Sequence, residues 1–163
     1  MSNLCTFYGR TSYKIKNNQT EVVVSVLGAN TVAYFCGGDR INPFFIAPWW
    51  KEQWLDDLDF MNVCRGNFFA FPMGGDAEGF LGSKYPLHGN CVNENWDFVS
   101  AGENELNLRF EEGEGLIEKQ ILISNEASIV YENNMVSGYE GKWPVAYHPM
   151  LKLPETRASV HLD

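Results

Sequence analysis

Two histidines in distinctive surroundings are the residues of this chain best suited to acid–base chemistry. The first, His88, lies in a glycine-rich stretch over residues 65–96 that contains Arg65 and Asn67 and closes on Trp96. Glycines let the backbone approach a ligand closely, while aromatic and polar side chains offer flat faces and hydrogen bonds. The same composition is also typical of an ordinary connection between strands, with its phenylalanines filling the core.

The second histidine, His148, ends a short motif, KWPVAYHP, over residues 142–149. Alternate residues of an extended chain share a face. If this segment is extended, one face is predicted to carry Lys142, Pro144, Ala146 and His148. The opposite face is predicted to carry Trp143, Val145 and Tyr147. Small neighbours leave room above His148, and the prolines restrict the strand to an edge or a bulge. The alternative for His148 is a histidine satisfied by a backbone partner at a strand end.

Composition and charge limit the classes of partner. A chain of 163 residues with 45% hydrophobic residues predicts one domain, over residues 1–163, with a sizeable core. The net charge of −9 repels phosphate backbones and anionic lipid surfaces, so neither nucleic acid nor a membrane is expected as a partner. A neutral ligand such as a sugar meets no comparable repulsion.

The cysteines, at positions 5, 36, 64 and 91, lack the close spacing of common metal sites. We expect four reduced, mostly buried thiols in a cytoplasmic protein, with no metal and no cofactor. A metal-dependent sandwich enzyme of the cupin type is the alternative. It needs a cluster such as His-x-His with a nearby carboxylate, whereas the three histidines here lie far apart in sequence.

The remaining pattern predicts short strands separated by turns. Residues 7–16 predict a first strand region, and two valine-rich and aromatic runs predict a hairpin around Gly28-Ala29-Asn30. Further strands are predicted over 105–112, 115–124 and 127–132. Residues 51–61 predict either a short helical turn or an acidic surface loop. Strands of this length and spacing indicate one all-β domain, an antiparallel β-sandwich or barrel.

Three segments, in this order, resemble the aldose 1-epimerase family of galactose mutarotase-like enzymes. VVVSVLGANTVAYF is similar to the opening hairpin of that fold. RGNFFAFPMGGD, PLHGN and Trp96 resemble the loop with the family's first histidine, and WPVAYHPMLKLPE resembles the strand that ends in the second. The resemblance implies an antiparallel galactose mutarotase-like supersandwich. It also implies that this chain is the N-terminal portion, because the family's general-base glutamate lies far downstream, in strands absent here.

The resemblance implies mutarotation, the interconversion of the α and β anomers of a free aldose. His148 would protonate the ring oxygen, and His88 would hydrogen-bond the sugar beside it. Arg65 and Asn67 would contact sugar hydroxyls, and Trp96 would offer an apolar face to the ring.

Two departures from the family pattern keep alternatives open. Many relatives have an arginine shortly after the His-Gly pair, where this chain has Val92, and we favour a neutral aldose over a phosphorylated one. Because the general base is missing, a non-catalytic carbohydrate-binding or regulatory module is the alternative function. Half a sandwich also leaves open edges and an uncovered apolar face, so we expect a second copy or the missing half as a partner.

Overall fold

The computed structural model describes residues 3–36, 40–50, 64–74 and 85–153. Within these ranges the chain forms ten β-strands in two antiparallel sheets. The prediction of an all-β antiparallel sandwich is therefore confirmed. No helix in the described part of the chain is long and apolar enough to cross a membrane. The helical turn or loop predicted over 51–61 lies outside the described residues.

The larger sheet has six strands. They are β1 (Leu4–Phe7), β2 (Arg10–Lys16), β3 (Thr20–Ser25), β4 (Thr31–Cys36), β5 (Asn67–Ala70) and β10 (Ala146–Pro149), side by side in that order. The hairpin predicted from the valine-rich sequence is β3 with β4. The single strand region predicted over 7–16 is instead a hairpin of β1 and β2. Tyr8 and Gly9 both have positive φ, 44° and 74°, as a tight two-residue turn requires.

The smaller sheet has four strands in sequential order. They are β6 (Asp97–Ala101), β7 (Glu105–Glu112), β8 (Gly115–Ile123) and β9 (Val130–Ser137). The alternation predicted for β7 and β8 is confirmed by their buried residues, Leu106, Leu108, Phe110, Ile117, Ile121 and Ile123. β9 begins later than predicted because the Ser124 hydroxyl accepts hydrogen bonds from the amides of Glu126 and Ala127 and closes a turn there.

An ion pair in the core links the two sheets. Lys119 lies on the buried face of β8, and its Nζ is 2.9 Å from Oε1 of Glu132 on β9. The same ammonium donates to the carbonyl oxygen of Ala29, also at 2.9 Å. Thr31 of β4 donates its hydroxyl to Oε2 of Glu132 at 2.8 Å. The β3–β4 hairpin of the larger sheet is therefore tied to β8 and β9 of the smaller one.

None of the four cysteines belongs to a disulfide, in line with the prediction of reduced thiols. Only Cys91 is fully buried, and the other three are half-buried, so the expectation of mostly buried thiols holds for one of them.

Candidate functional site

His148 lies on the edge strand of the larger sheet, as the prolines of its motif predict. β10 pairs with β5, so that His148 lies opposite Phe68 and Tyr147 lies opposite Phe69. The Tyr147 ring contacts the Phe69 ring, and its hydroxyl accepts a hydrogen bond from Asn134 of the smaller sheet. Because neighbouring strand residues face opposite sides, His148 and Phe68 lie on the face turned away from the smaller sheet. Tyr147 and His148 face opposite sides of the sheet, as the motif predicts. The strand itself is shorter than the extended segment predicted from residue 142, since β10 begins at Ala146.

The two histidines meet on this outer face. Their ring centroids are 5.4 Å apart, with the ring planes at 77°. Phe68 contacts both, stacking on His148 at 4.7 Å and meeting His88 edge-on at 5.1 Å. His148 is exposed and His88 half-buried. The pair therefore faces solvent above a buried phenyl ring.

A closely packed loop holds His88 in place. Gly89 has a φ of 83°, and a Cβ there would lie 2.3 Å from the carbonyl oxygen of Phe71, so this position requires glycine. The amide of Gly89 donates to the carbonyl of Pro86 at 2.9 Å and closes a turn around His88. The Sγ of Cys91 lies 3.1 Å from the Phe71 carbonyl. Burial raises the pKa of Cys91 to about 11, so the thiol stays protonated and can donate.

The environment of His88 favours the neutral imidazole. Burial, together with the neighbouring His148, lowers the pKa of His88 below its ordinary value. Its Nδ1 is buried, and within the described ranges it has no hydrogen-bond partner. A neutral imidazole carries one N–H donor and one acceptor nitrogen, which suits it to a hydroxyl ligand. Neither imidazole forms an ion pair with a carboxylate of the described residues.

Trp96 lies in the core, and the prediction that it offers a face to a sugar is wrong. Its side chain packs between the sheets and is only 2% exposed. It contacts the Phe110 ring at 5.8 Å, and the Lys119 ammonium lies 5.6 Å from its ring centroid. The indole N–H donates to the carbonyl of Cys91 at 2.6 Å. Trp96 therefore anchors the loop that carries His88.

Asn67 lies on the opposite face of β5 from the histidines. It precedes Phe68 in the strand, so its side chain points toward the smaller sheet, where Nδ2 is 3.4 Å from Oε2 of Glu132. The structure therefore does not bring Asn67 to the histidine pair, and its position does not support a sugar contact there. Strand alternation is the physical reason, and the glycine-rich context of β5 concealed that alternation in the sequence.

Arg65 is enclosed at the turn between β1 and β2. It is 5% exposed, and its Nη1 donates to the carbonyl of Tyr8 at 3.3 Å. Burial and the positive charge of Arg10 lower the pKa of Arg65 to about 10, which still leaves it charged at neutral pH. The structure places this guanidinium at the turn and not at the histidines, so its position does not support a sugar contact.

Comparison with known proteins agrees with this architecture. No family model and no curated protein matches the sequence. A galactose mutarotase related enzyme from Lactobacillus acidophilus superposes with a TM-score of 0.66 at 16% identity, over 91% of this chain and 51% of the other. A galactose mutarotase-like protein from Lactobacillus casei ATCC 334 gives 0.64 at 11% identity, over 90% and 51%. The chain has a galactose mutarotase-like fold.

An Escherichia coli K12 protein provisionally named an aldose 1-epimerase has the same fold, with a TM-score of 0.64 at 15% identity over 88% of this chain and 52% of the other. Likeness at these identities establishes the galactose mutarotase-like fold alone. The chain spans about half the length of these structures, in agreement with the expected resemblance to the N-terminal portion of the fold.

Proposed function

We propose that the histidine pair is a sugar site of the mutarotase type that acts on a free, neutral aldose. The observation that carries the proposal is the 5.4 Å approach of the two imidazoles at the solvent-facing edge of the larger sheet. Groups this close can both reach oxygens of one bound pyranose ring. The fold shared with mutarotase-related proteins supports the same proposal.

Mutarotation needs one proton delivered to the ring oxygen and one removed from the anomeric hydroxyl. His148 donates a proton to the ring oxygen while the bond from that oxygen to the anomeric carbon breaks. The anomeric hydroxyl loses its proton to water, and an open-chain aldehyde forms. After the carbonyl end rotates, the reverse transfers close the ring on its other face. His88 stays neutral and orients the ring through a hydrogen bond.

A non-catalytic carbohydrate-binding module is the second candidate. The observation that favours it is the absence, within the described ranges, of a carboxylate paired with either imidazole. Without such a base the anomeric proton passes to water, which is a weak acceptor. A site of this kind binds sugar without accelerating its mutarotation.

Polarimetry of freshly dissolved α-D-galactose and α-D-glucose tests the catalytic proposal. The protein is expected to accelerate the approach to anomeric equilibrium. His148→Ala should lower the protein-dependent rate by ~10² to 10⁴-fold, the usual contribution of a general acid. Tyr147→Phe is the matched control, because Tyr147 lies next to His148 in β10 but faces the other sheet, and it should leave the rate unchanged.

Sugar binding, measured by saturation-transfer NMR on the same variants, separates the two candidates. Binding that depends on His148 together with acceleration supports the mutarotase. Binding that depends on His148 without acceleration supports the module. A protein that neither binds these sugars nor accelerates their mutarotation contradicts both.

A further inference from the structure

The smaller sheet ends in a strand edge with little protection against pairing. β9 (Val130–Ser137) is its last strand, and no strand of the described ranges pairs with its outer edge. Natural edge strands are usually blocked by lysine, proline, a bulge, an inward-pointing charge, a covering element or a short length. β9 has eight residues without lysine or proline, and its register with β8 is unbroken. Its one inward-pointing charge, Glu132, is neutralised by Lys119. It also exposes the large apolar side chains of Tyr131, Met135 and Val136.

We propose that β9 pairs in antiparallel fashion with β9 of a second copy of this chain, about a two-fold axis at Asn133. A two-fold axis makes the interface self-complementary, so each contact occurs twice. In this register Asn133 faces its own counterpart, Glu132 faces Asn134, Tyr131 faces Met135, and Val130 faces Val136.

The side chains of β9 favour this register over its neighbours. Glu132 is the one charged residue of the strand, and it meets a neutral amide. Tyr131 and Met135 form an aromatic–sulfur contact, which is favourable. An axis at Glu132 would oppose two carboxylates, and an axis at Asn134 would place Glu132 against Val136. A change of register by a single residue would place the inward-facing side chains of one copy beside the outward-facing side chains of the other.

A row of polar side chains on the outer face of the smaller sheet supports the same position of the two-fold axis. A row of polar side chains crosses its four strands in register, from Ser100 through Asn107 and Gln120 to Asn133. Asn107 donates to the Ser100 hydroxyl at 3.0 Å, and Asn133 donates to Oε1 of Gln120 at 3.1 Å. Asn133 ends the row at the open edge. The two-fold axis joins this row to its copy, and such amide ladders stabilise strand pairing.

The larger sheet adds apolar surface on the same side of the molecule. Asn134 donates to the Tyr147 hydroxyl at 2.8 Å, which places β10 beside β9. Tyr147 is 49% exposed, and Val145, just before β10, is 56% exposed. A second copy that pairs with β9 approaches these side chains as well, so the contact extends beyond main-chain hydrogen bonds.

Sedimentation velocity of the full chain across the micromolar range tests the proposal, with Asn133→Lys and Asn133→Glu as paired variants. Each variant opposes two like charges at the axis, so each alone should weaken dimerisation by roughly tenfold or more. An equimolar mixture opposes lysine to glutamate and should restore the dimer. Val99→Lys is the control, because Val99 is 51% exposed on β6 at the other edge of the same sheet, and it should dimerise like the unmodified chain.

Circular dichroism melts of each variant establish that the substituted chains are folded. A chain that is monomeric throughout the concentration range overturns the proposal. So does a dimer that both Asn133 variants leave intact, or one that their mixture fails to restore. Loss of the dimer in Val99→Lys to the same extent would also overturn it, because the interface would then not be specific to β9.

Discussion

The imidazole of His148 stacks on the ring of Phe68, with centroids 4.7 Å apart and planes within 8° of parallel. The two residues are cross-strand partners in β10 and β5, so main-chain pairing sets the distance between them. Phe68 is 2% exposed and also contacts His88. The proposed acid therefore rests on a rigid strand pair, which holds a catalytic group more precisely than a loop does.

Removal of the Phe68 ring should cost stability as a core truncation does. We expect Phe68→Ala to lower the free energy of unfolding by about 3–5 kcal/mol, because the cavity beneath the histidines cannot close. Urea denaturation measures this loss. Phe98→Ala removes the same ring from a side chain that is 51% exposed and should cost less. Equal losses in the two variants would contradict the buried position of Phe68.

The glycine after His88 should tolerate no side chain. Gly89→Ala brings a Cβ within 2.3 Å of the Phe71 carbonyl oxygen, so the loop must move and carry His88 with it. Gly113→Ala is the control, since its φ is 61° with nothing within 4 Å of the new Cβ, and it should cost about 1 kcal/mol from backbone strain alone. Urea denaturation should show the larger loss for Gly89→Ala, and sugar binding should fall in that variant alone. Similar unfolding energies and intact binding would argue against the packed loop.

Breaking the buried ion pair of Lys119 and Glu132 should cost much stability, whereas replacing both members with apolar residues should cost little. Lys119→Met or Glu132→Leu leaves one member of the buried pair without its charged partner and should cost about 3–5 kcal/mol of unfolding free energy. The double variant Lys119→Met/Glu132→Leu should lose far less than the sum of the single losses. A double-mutant cycle by urea denaturation measures the coupling. Additive losses would show that the two side chains act independently.

Stability should depend on pH through His88. Burial and His148 lower the pKa of His88, so the unfolded imidazole binds a proton at higher pH than the folded one. The free energy of unfolding therefore falls as the pH drops from 6.5, the ordinary pKa of histidine, toward the lower pKa of the folded state. Above pH 6.5 the imidazole is neutral in both states, so His88 adds no pH dependence there. His88→Gln should flatten the free energy of unfolding across that window. An unchanged slope in the variant would mean that His88 is not desolvated.

Strands with clear alternation could be predicted from the sequence, and strands inside irregular composition could not. The pattern of β7 and β8 places leucines and isoleucines on one face, and the structure buries that face. β5 lies between glycines and prolines that conceal its alternation. Without that strand, Asn67 and Phe68 could not be assigned to opposite faces.

Burial of polar and aromatic groups depends on packing that one sequence does not state. Trp96 and Arg65 have the residue types of sugar contacts, but the core and the β1–β2 turn enclose them. The burial of Lys119 could be predicted from the sequence, because Lys119 lies between two isoleucines on the face of β8 that alternation assigns to the core. Its partner Glu132 could not be named, because the register of β9 was unknown.

In the proposed site both imidazoles contact one sugar ring. Titration of D-galactose into protein with ¹⁵N-labelled histidine, with signals assigned through His88→Gln and His148→Gln, measures these contacts. We expect the His88 and His148 resonances to shift together along a single saturation curve. Resonances that do not move at saturating sugar, or that respond with different affinities, would contradict the proposed site.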